Sequence, residues 1–216
     1  MADRKLTHEK AQAFFEELWS RGDPWELETS EFEQAKYDQE ILILDGRHYE
    51  RALEIGCGVG SFTRRLASIS RSILALDISP SAIARAREGQ ASLSAVEFRV
   101  QNIIDFDVHS EGSWDLVVMS ETIYYLGWLY SFFDVAWLAA ELFAATRDSG
   151  HLLMANTIGG VDDYLLRPWI IRTYHDMFVN VGYQPTSEKI FNGTKNGVPI
   201  DVLISLFTKP KKEGTL

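Results

Sequence analysis

Ala11, Phe14, Phe15, Leu18 and Trp19 follow the i, i+3, i+4, i+7, i+8 spacing and predict a helix with one apolar face near the N-terminus. Gly22 and Pro24 in "RGDPWELET" (21–29) break that pattern. Ser30 and Glu33 have the spacing of a capping box and predict a second helix running through Leu44. From Arg51 the pattern changes to short apolar runs. "RALEI" (51–55) reads as a buried strand and is followed by a glycine-rich loop and the helix "SFTRRLASIS". "SILALD" (72–77) is the next strand, after which Ser79 caps and Pro80 opens a helix. Further strands are predicted at 95–102, 114–120 and 150–157, with a strongly apolar helix at 132–146 and another from Pro168 to near Gly182. Two last runs, 183–191 and 199–208, are joined by the turn residues "NGTKNGVP" and read as a hairpin.

Five strands alternating with helices predict an α/β fold, a doubly wound and mostly parallel sheet. The closing hairpin adds an antiparallel edge and brings the count to seven strands. The reading divides the chain into an N-terminal helical cap (1–45), a main domain (46–209) and a charged tail (210–216) expected to be disordered.

The 216 residues are enough for one domain with a sizeable core. The net charge of −10 argues against a nucleic-acid partner, which would call for a basic footprint. It suits a small or cationic ligand. The single cysteine, Cys57, excludes an internal disulfide and a cysteine zinc site. No stretch reads as a signal peptide or a membrane span, so a cytoplasmic protein is expected. His8, His48, His109, His151 and His175 form no ligand pair, and no catalytic metal is expected.

The chemistry centres on "ALEIGCGVGSF" (52–62). In doubly wound sheets ligands bind beyond the carboxyl ends of the strands, and this loop lies at such an end. Glycine permits positive φ and close approach of a ligand to the backbone. A dinucleotide loop reads G-x-G-x-x-G, but here the third glycine comes one residue early and Ser61 stands in its place. A phosphate-binding P-loop needs a lysine after the glycines, and none follows. What stands instead is Glu54 before Gly56, Gly58 and Gly60, with Asp77 ending the next strand, where a carboxylate can take both hydroxyls of a ribose. A plain strand-to-helix turn is the remaining alternative.

"ALEIGCGVGSFTRRLA" together with "LALDIS" resembles the nucleoside-binding motifs of class I S-adenosylmethionine-dependent methyltransferases, whose Rossmann-like fold the predicted elements match. The resemblance implies that Gly56, Gly58 and Gly60 admit the cofactor and that Glu54 orients the loop, partly through water. It further implies that Asp77 binds the ribose hydroxyls, that Ile78 packs on the adenine, and that Asn102, with the Ile103 amide beside it, receives the adenine amino group. Asn102 has a second reading as a loop-capping amide. Ser120, ending the fourth strand, and Trp25 and Tyr37, brought by the N-terminal segment, are further candidate cofactor contacts. That segment is expected to act as a lid.

"SETIYYL" (120–126) follows the fourth strand at the end where methyl transfer would occur, and places Glu121, Tyr124 and Tyr125 there as candidate catalytic residues. An acceptor amine must be neutral to have a lone pair, and a carboxylate can hold it and accept its proton. The alternatives are a helix-start carboxylate for Glu121 and core packing for the tyrosines. "GDPWELETSEFEQAKYDQEILIL", "LEIGCGVG", "LDIS" and "MSETIYYL", in that order, resemble the rhizobial nodulation protein S family. The resemblance implies an N-methyltransferase of Nod-factor synthesis, acting on the free amine at the non-reducing end of a chitooligosaccharide. Trp19, Trp25, Trp128, Tyr164 and Trp169 could stack on sugar rings or serve as packing. Three alternatives stand beside it: a methyltransferase of another small acceptor, a nicotinamide-dependent oxidoreductase, and a non-catalytic nucleoside-binding module.

Overall fold

A computed structural model of the chain describes residues 4–44, 46–159 and 163–211. Most of the expected tail, 212–216, lies outside the described residues. The elements are α1 (Arg4–Ser20), α2 (Glu31–Ile43), β1 (Ala52–Ile55), α3 (Thr63–Leu66), β2 (Ile73–Asp77), α4 (Pro80–Gly89), β3 (Val96–Val100), β4 (Trp114–Ser120), α5 (Ile123–Leu129), α6 (Phe132–Ala145), β5 (Thr146–Gly159), α7 (Pro168–Asn180), β6 (Gln184–Lys195) and β7 (Val198–Thr208). Single 3-10 turns lie at Ile103–Asp105 and Tyr164–Leu166.

One seven-stranded sheet runs in the order β3-β2-β1-β4-β5-β7-β6. β1 to β5 are parallel, and β7 pairs antiparallel with both β5 and β6. This is the seven-stranded, mostly parallel α/β sheet with an antiparallel C-terminal hairpin that the alternation of elements predicts. Along β4, Leu116 and Val118 enter the core on one face, while Val117 and Met119 enter the core on the other. Helices cover both faces, so the central strands have no solvated side and read as continuous apolar runs.

Several local expectations hold for the expected reason. The Ser79 hydroxyl accepts from the Ala82 amide and Pro80 stands in the first turn of α4. Asn196 and Gly197 both take positive φ, 51° and 79°, and make the two-residue turn of the β6–β7 hairpin. The strands therefore extend further into "NGTKNGVP" than the turn residues suggest. Other expectations are corrected. Ser30 precedes α2 but makes no capping hydrogen bond through its side chain; its amide donates to the Glu26 carbonyl, and Glu33 turns inward to lysines instead of back to the helix start. The helix after the glycine loop is only four residues long, because Ser68 takes the Arg65 carbonyl and Ser70 bridges to Tyr49. α5 is an additional helix between β4 and α6.

The order of strands reverses between β1 and β4, which carry connections to opposite sides of the sheet. A crevice opens beyond their carboxyl ends, as this topology requires. α1 lies against α4, and α2 lies against the β6–β7 hairpin, so both N-terminal helices bound that crevice.

Candidate functional site

One cavity of about 440 Å³ occupies the crevice, a volume in the range of small-molecule sites. The glycine loop, the ends of β2 and β4, the segment after β3, and α5 supply its floor and sides. α1, the turn at 21–30 and α2 supply the rest of the wall.

Gly56, Gly58 and Gly60 have φ of 77°, 54° and 78°, values that only glycine adopts without strain. A Cβ at Gly56 would stand 2.5 Å from the Thr122 hydroxyl, and one at Gly58 would stand 3.0 Å from the Trp19 ring. Gly56 and Gly58 line the cavity. Gly60 does not: a Cβ there would meet Phe98 at 3.1 Å, so the third glycine lets the loop pack on β3 rather than face a ligand. Asp77 ties this floor together. Its Oδ2 accepts from the Gly58 amide at 3.0 Å and its Oδ1 from the Ser79 amide at 2.9 Å. The Ile78 amide adds a third bond, and the carboxylate keeps acceptor capacity for a ligand hydroxyl. Burial pushes the Asp77 carboxyl up to about 6, against the pull of those amides. Glu54 is also buried, its Oε2 accepts from the Thr63 hydroxyl, and burial raises it to about 8. It thus anchors the start of α3 while lining the cavity floor.

Ile78, Asn102, Ile103 and Tyr130 line the neighbouring part of the cavity. Asn102 caps the 3-10 turn: its Oδ1 accepts from the Ile104 amide at 3.0 Å and its Nδ2 donates to the Tyr130 hydroxyl at 2.6 Å. The loop-capping reading of Asn102 is therefore what its side chain does here. α1 fastens to this end through residues four apart on one side. His8 pairs with Asp105, Gln12 donates to the Ile78 carbonyl at 3.3 Å, and Glu16 accepts from the Ser79 hydroxyl at 2.6 Å and the Ser81 amide at 3.0 Å. These bonds hold the Glu16 carboxyl below its ordinary range.

At the other end stand Ser120, Glu121, Tyr124, Tyr125 and Trp25. Glu121 has a left-handed backbone, φ 53°, uncommon for a residue with a side chain. Its position is determined by β5 rather than by the start of α5. Oε2 accepts from the Thr157 amide and Oε1 from the Thr157 hydroxyl, both at 2.9 Å, while the Lys36 ammonium lies 3.4 Å from Oε1. The Tyr124 and Tyr125 rings are 4.5 Å apart, and Tyr125 packs edge-on against Phe15 and Trp25. Burial pushes the Tyr125 hydroxyl up to about 12 and the deeper Tyr124 hydroxyl well above its ordinary value, so both stay protonated donors. Of the other aromatics, Trp19 is buried, whereas Tyr164 and Trp169 are exposed and outside the cavity wall.

Sequence reasoning singled out Tyr37 on α2 but missed the polar residues that share its face. Glu33, Lys36, Tyr37 and Glu40 recur at i, i+3, i+4 and i+7 and are all buried. That spacing is the signal, but its polar residues make it look like a solvated face. Tyr37 stacks on Phe62 with ring centres 5.3 Å apart and reaches the cavity. Glu33 bridges Lys36 and Lys195, each at 2.7 Å. Glu40 accepts from the Ser120 hydroxyl at 2.9 Å, and burial raises it to about 8.

The site thus has two unlike ends. One offers a hydroxyl-accepting carboxylate and apolar surfaces, which suit a nucleoside. Lys36 and Lys195 are the cations lining the cavity, and both are committed to Glu33, so a pyrophosphate would find no free counter-charge. The other end offers a clamped carboxylate among aromatic rings. Among the described residues no group of three or more His, Cys, Asp or Glu could hold a metal, and no helix is long and apolar enough to cross a membrane.

The family model for nodulation protein S (NodS) matches residues 7–132, more than half of the chain. Nodulation protein S of Sinorhizobium fredii is 32% identical over 140 residues, which are 63% of this chain and 61% of that protein. The protein of the same name from Rhizobium tropici is 30% identical over 155 residues, 71% of this chain and 63% of that protein. The match thus spans about three fifths of the length of these curated relatives. Among solved structures, the N-methyltransferase NodS from Bradyrhizobium japonicum WM9 in complex with S-adenosyl-L-homocysteine superposes with a TM-score of 0.78 at 23% identity, covering 93% of this chain and 99% of that one.

Proposed function

The chain belongs to the nodulation protein S family, and from that premise we propose that it is an S-adenosylmethionine-dependent N-methyltransferase acting on the free amine of the non-reducing-end glucosamine of a chitooligosaccharide, a step of Nod-factor biosynthesis. The observation that carries this reading is a cavity with a nucleoside-like end at Asp77 and a carboxylate, Glu121, clamped among aromatic rings at the other.

S-adenosylmethionine, when bound, supplies an electrophilic methyl group on a sulfonium. In this proposal Asp77 takes the ribose hydroxyls with its free lone pairs, and Gly56 and Gly58 give close backbone approach. Ile78 and Ile103 offer apolar surface to the adenine, beside Asn102. Tyr37 and Glu54 are further cofactor contacts in this proposal, as are Trp25 and Ser120 from the end nearer Glu121. Gly60 acts through the shape of the loop. Proximity and alignment supply most of what such a displacement on carbon requires. Glu121 accepts an N–H of the neutral acceptor amine, leaving the nitrogen lone pair free, and takes the released proton on its carboxylate. Tyr124 and Tyr125 stay protonated and can donate to sugar oxygens. Their rings, with Phe15 and Trp25, exclude water and offer apolar faces to the sugar. α1, the 21–30 turn and α2 form the lid. The proposal places this reaction in the cytoplasm.

The test is a methyl-transfer assay with paired acceptors: a chitooligosaccharide with one free terminal amine, and the same oligomer fully acetylated. Methylation of the first alone is expected. Equal methylation of both would exclude the amine as the acceptor. Failure of both, with turnover of a hydroxyl or carboxyl acceptor, would make the protein a methyltransferase of another substrate class.

A further inference from the structure

Lys36 is 2% exposed and sits on a helix outside the sheet, yet it reaches Glu121 at the end of β4. Burial of an ammonium is unfavourable, but the carboxylates beside it, Glu121 and Glu33, more than offset that, so the Lys36 pKa lies above its ordinary value. The groups facing Glu121 are few. α2 contributes Lys36, Glu33 and Glu40, α5 contributes Tyr124 and Tyr125, and β5 contributes the Thr157 amide and hydroxyl. Lys36 is the single cation in that set.

The lone pairs of Glu121 are nearly all committed. Oε1 takes the Thr157 hydroxyl and Lys36, Oε2 takes the Thr157 amide, and the Tyr124 hydroxyl also donates to the carboxylate. What remains for a ligand is a narrow acceptor position, shared with Tyr124, on a carboxylate held by one buried cation. That cation is in turn held by Glu33, which also holds Lys195 on β6, and Lys195 donates to the Trp25 carbonyl. The network runs from the β6–β7 hairpin through the N-terminal segment to the end of β4.

We propose that Lys36 is the positioning residue for Glu121, holding that carboxylate aimed at the acceptor, and that it couples the seating of the N-terminal segment to acceptor binding. The kinetic part of this inference rests on the N-methyltransferase reading. Without Lys36, α2 would still cover the cavity, but Glu121 would face the Glu33 carboxylate with no intervening cation. Loss of the neighbouring cation disfavours the charged form of the carboxylate relative to wild type and removes the contact that aims it.

The experiment compares Lys36→Met with Lys36→Arg. Lys36→Met should bind S-adenosylhomocysteine within about twofold of wild type, while KM for the amine acceptor rises about tenfold or more. The acid limb of the kcat/KM profile should move to higher pH. Lys36→Arg should recover most of both effects. Lys36→Met combined with Glu121→Gln should be no worse than Glu121→Gln alone, because Lys36 acts through Glu121. Unchanged KM and acid limb in folded Lys36→Met, or losses additive with Glu121→Gln, would overturn the inference. A readout without turnover separates this from the reaction class. In protein with 13C-labelled glutamate carboxyls, the signal absent from Glu121→Gln should titrate at higher pH in Lys36→Met. It should move the opposite way in Glu33→Gln, which removes a competing anion and serves if Lys36→Met does not fold. A wild-type protein that methylates no amine would overturn the N-methyltransferase reading, and the carboxyl titration would still decide the role of Lys36.

Discussion

The Gly58 amide donates to Asp77 Oδ2 at 3.0 Å, so the glycine loop after β1 and the end of β2 are one rigid unit. Replacement of Asp77 removes both the proposed ribose acceptor and the brace of the loop. Asp77→Ala should weaken S-adenosylhomocysteine binding by about 1–3 kcal/mol, read by calorimetry. In the wild type, affinity should also fall as pH drops through about 6, where the buried carboxyl gains its proton and loses acceptor capacity. Affinity that is flat from pH 7.5 to 5 would argue against Asp77 as the hydroxyl acceptor.

Gly58→Val should abolish binding. The added side chain would be strained at φ 54° and would press on Trp19 and Leu27, whose contacts to a Cβ are already 3.0 and 3.1 Å. Wild-type affinity in a folded variant would show that the loop is not the cofactor floor.

Glu121→Gln should lower turnover by about 100-fold or more while leaving S-adenosylhomocysteine affinity nearly unchanged. The amide keeps the size of the side chain but loses the charge and an acceptor. Parallel loss of turnover and cofactor affinity would place Glu121 in the cofactor site instead.

Glu40→Gln should alter the pH dependence of stability. Glu40 is held neutral, with a native pKa near 8 against an ordinary 4.5. A carboxyl raised on folding contributes stability that is full below the unfolded value and lost as pH rises through the folded value. The variant stays neutral throughout, so its melting temperature relative to wild type should climb from pH 5 to 8 and level off above. A gain of about 1 kcal/mol would correspond to roughly 2–4 °C for a domain of this size. Glu54, also near 8, is present in both proteins and cancels from the difference. A constant difference across that range would mean that Glu40 is ionised in the native protein.

Amide exchange in residues 4–40 should slow when S-adenosylhomocysteine and acceptor are added. α1 is held at this end by side chains such as Glu16, which a ligand beneath would keep in place. Glu16→Ala should reduce that protection. Protection elsewhere with none in this segment would exclude a lid.

Much of this site could be read before any coordinates, because its parts are local. A glycine loop between a strand and a helix, an acid at the end of the next strand, and an acid with two tyrosines after the fourth strand are patterns within a few residues. They line one cavity because parallel strands all end on the same side. The misreadings have a common cause as well. Ser30 and Glu33 look like a capping box until a lysine 162 positions away, Lys195, takes the carboxylate. Gly60 looks like a ligand contact until Phe98 fills the space beside it.

The sequence by itself determined the strands, their alternation with helices and the two chemical ends of the site, since hydrophobic periodicity and backbone preference act over short range. Only the tertiary structure decided that the polar stripe of α2 is buried. Helical spacing says which residues share a face, not what that face meets. Glu33, Lys36 and Glu40 would be an ordinary solvated face on an isolated helix. Here α2 lies against the sheet and the β6–β7 hairpin, away from water, and their polar groups are satisfied by Lys195, Ser120 and Glu121, partners remote in the chain. Electrostatic energy depends on distance and burial, and neither is written in the order of residues.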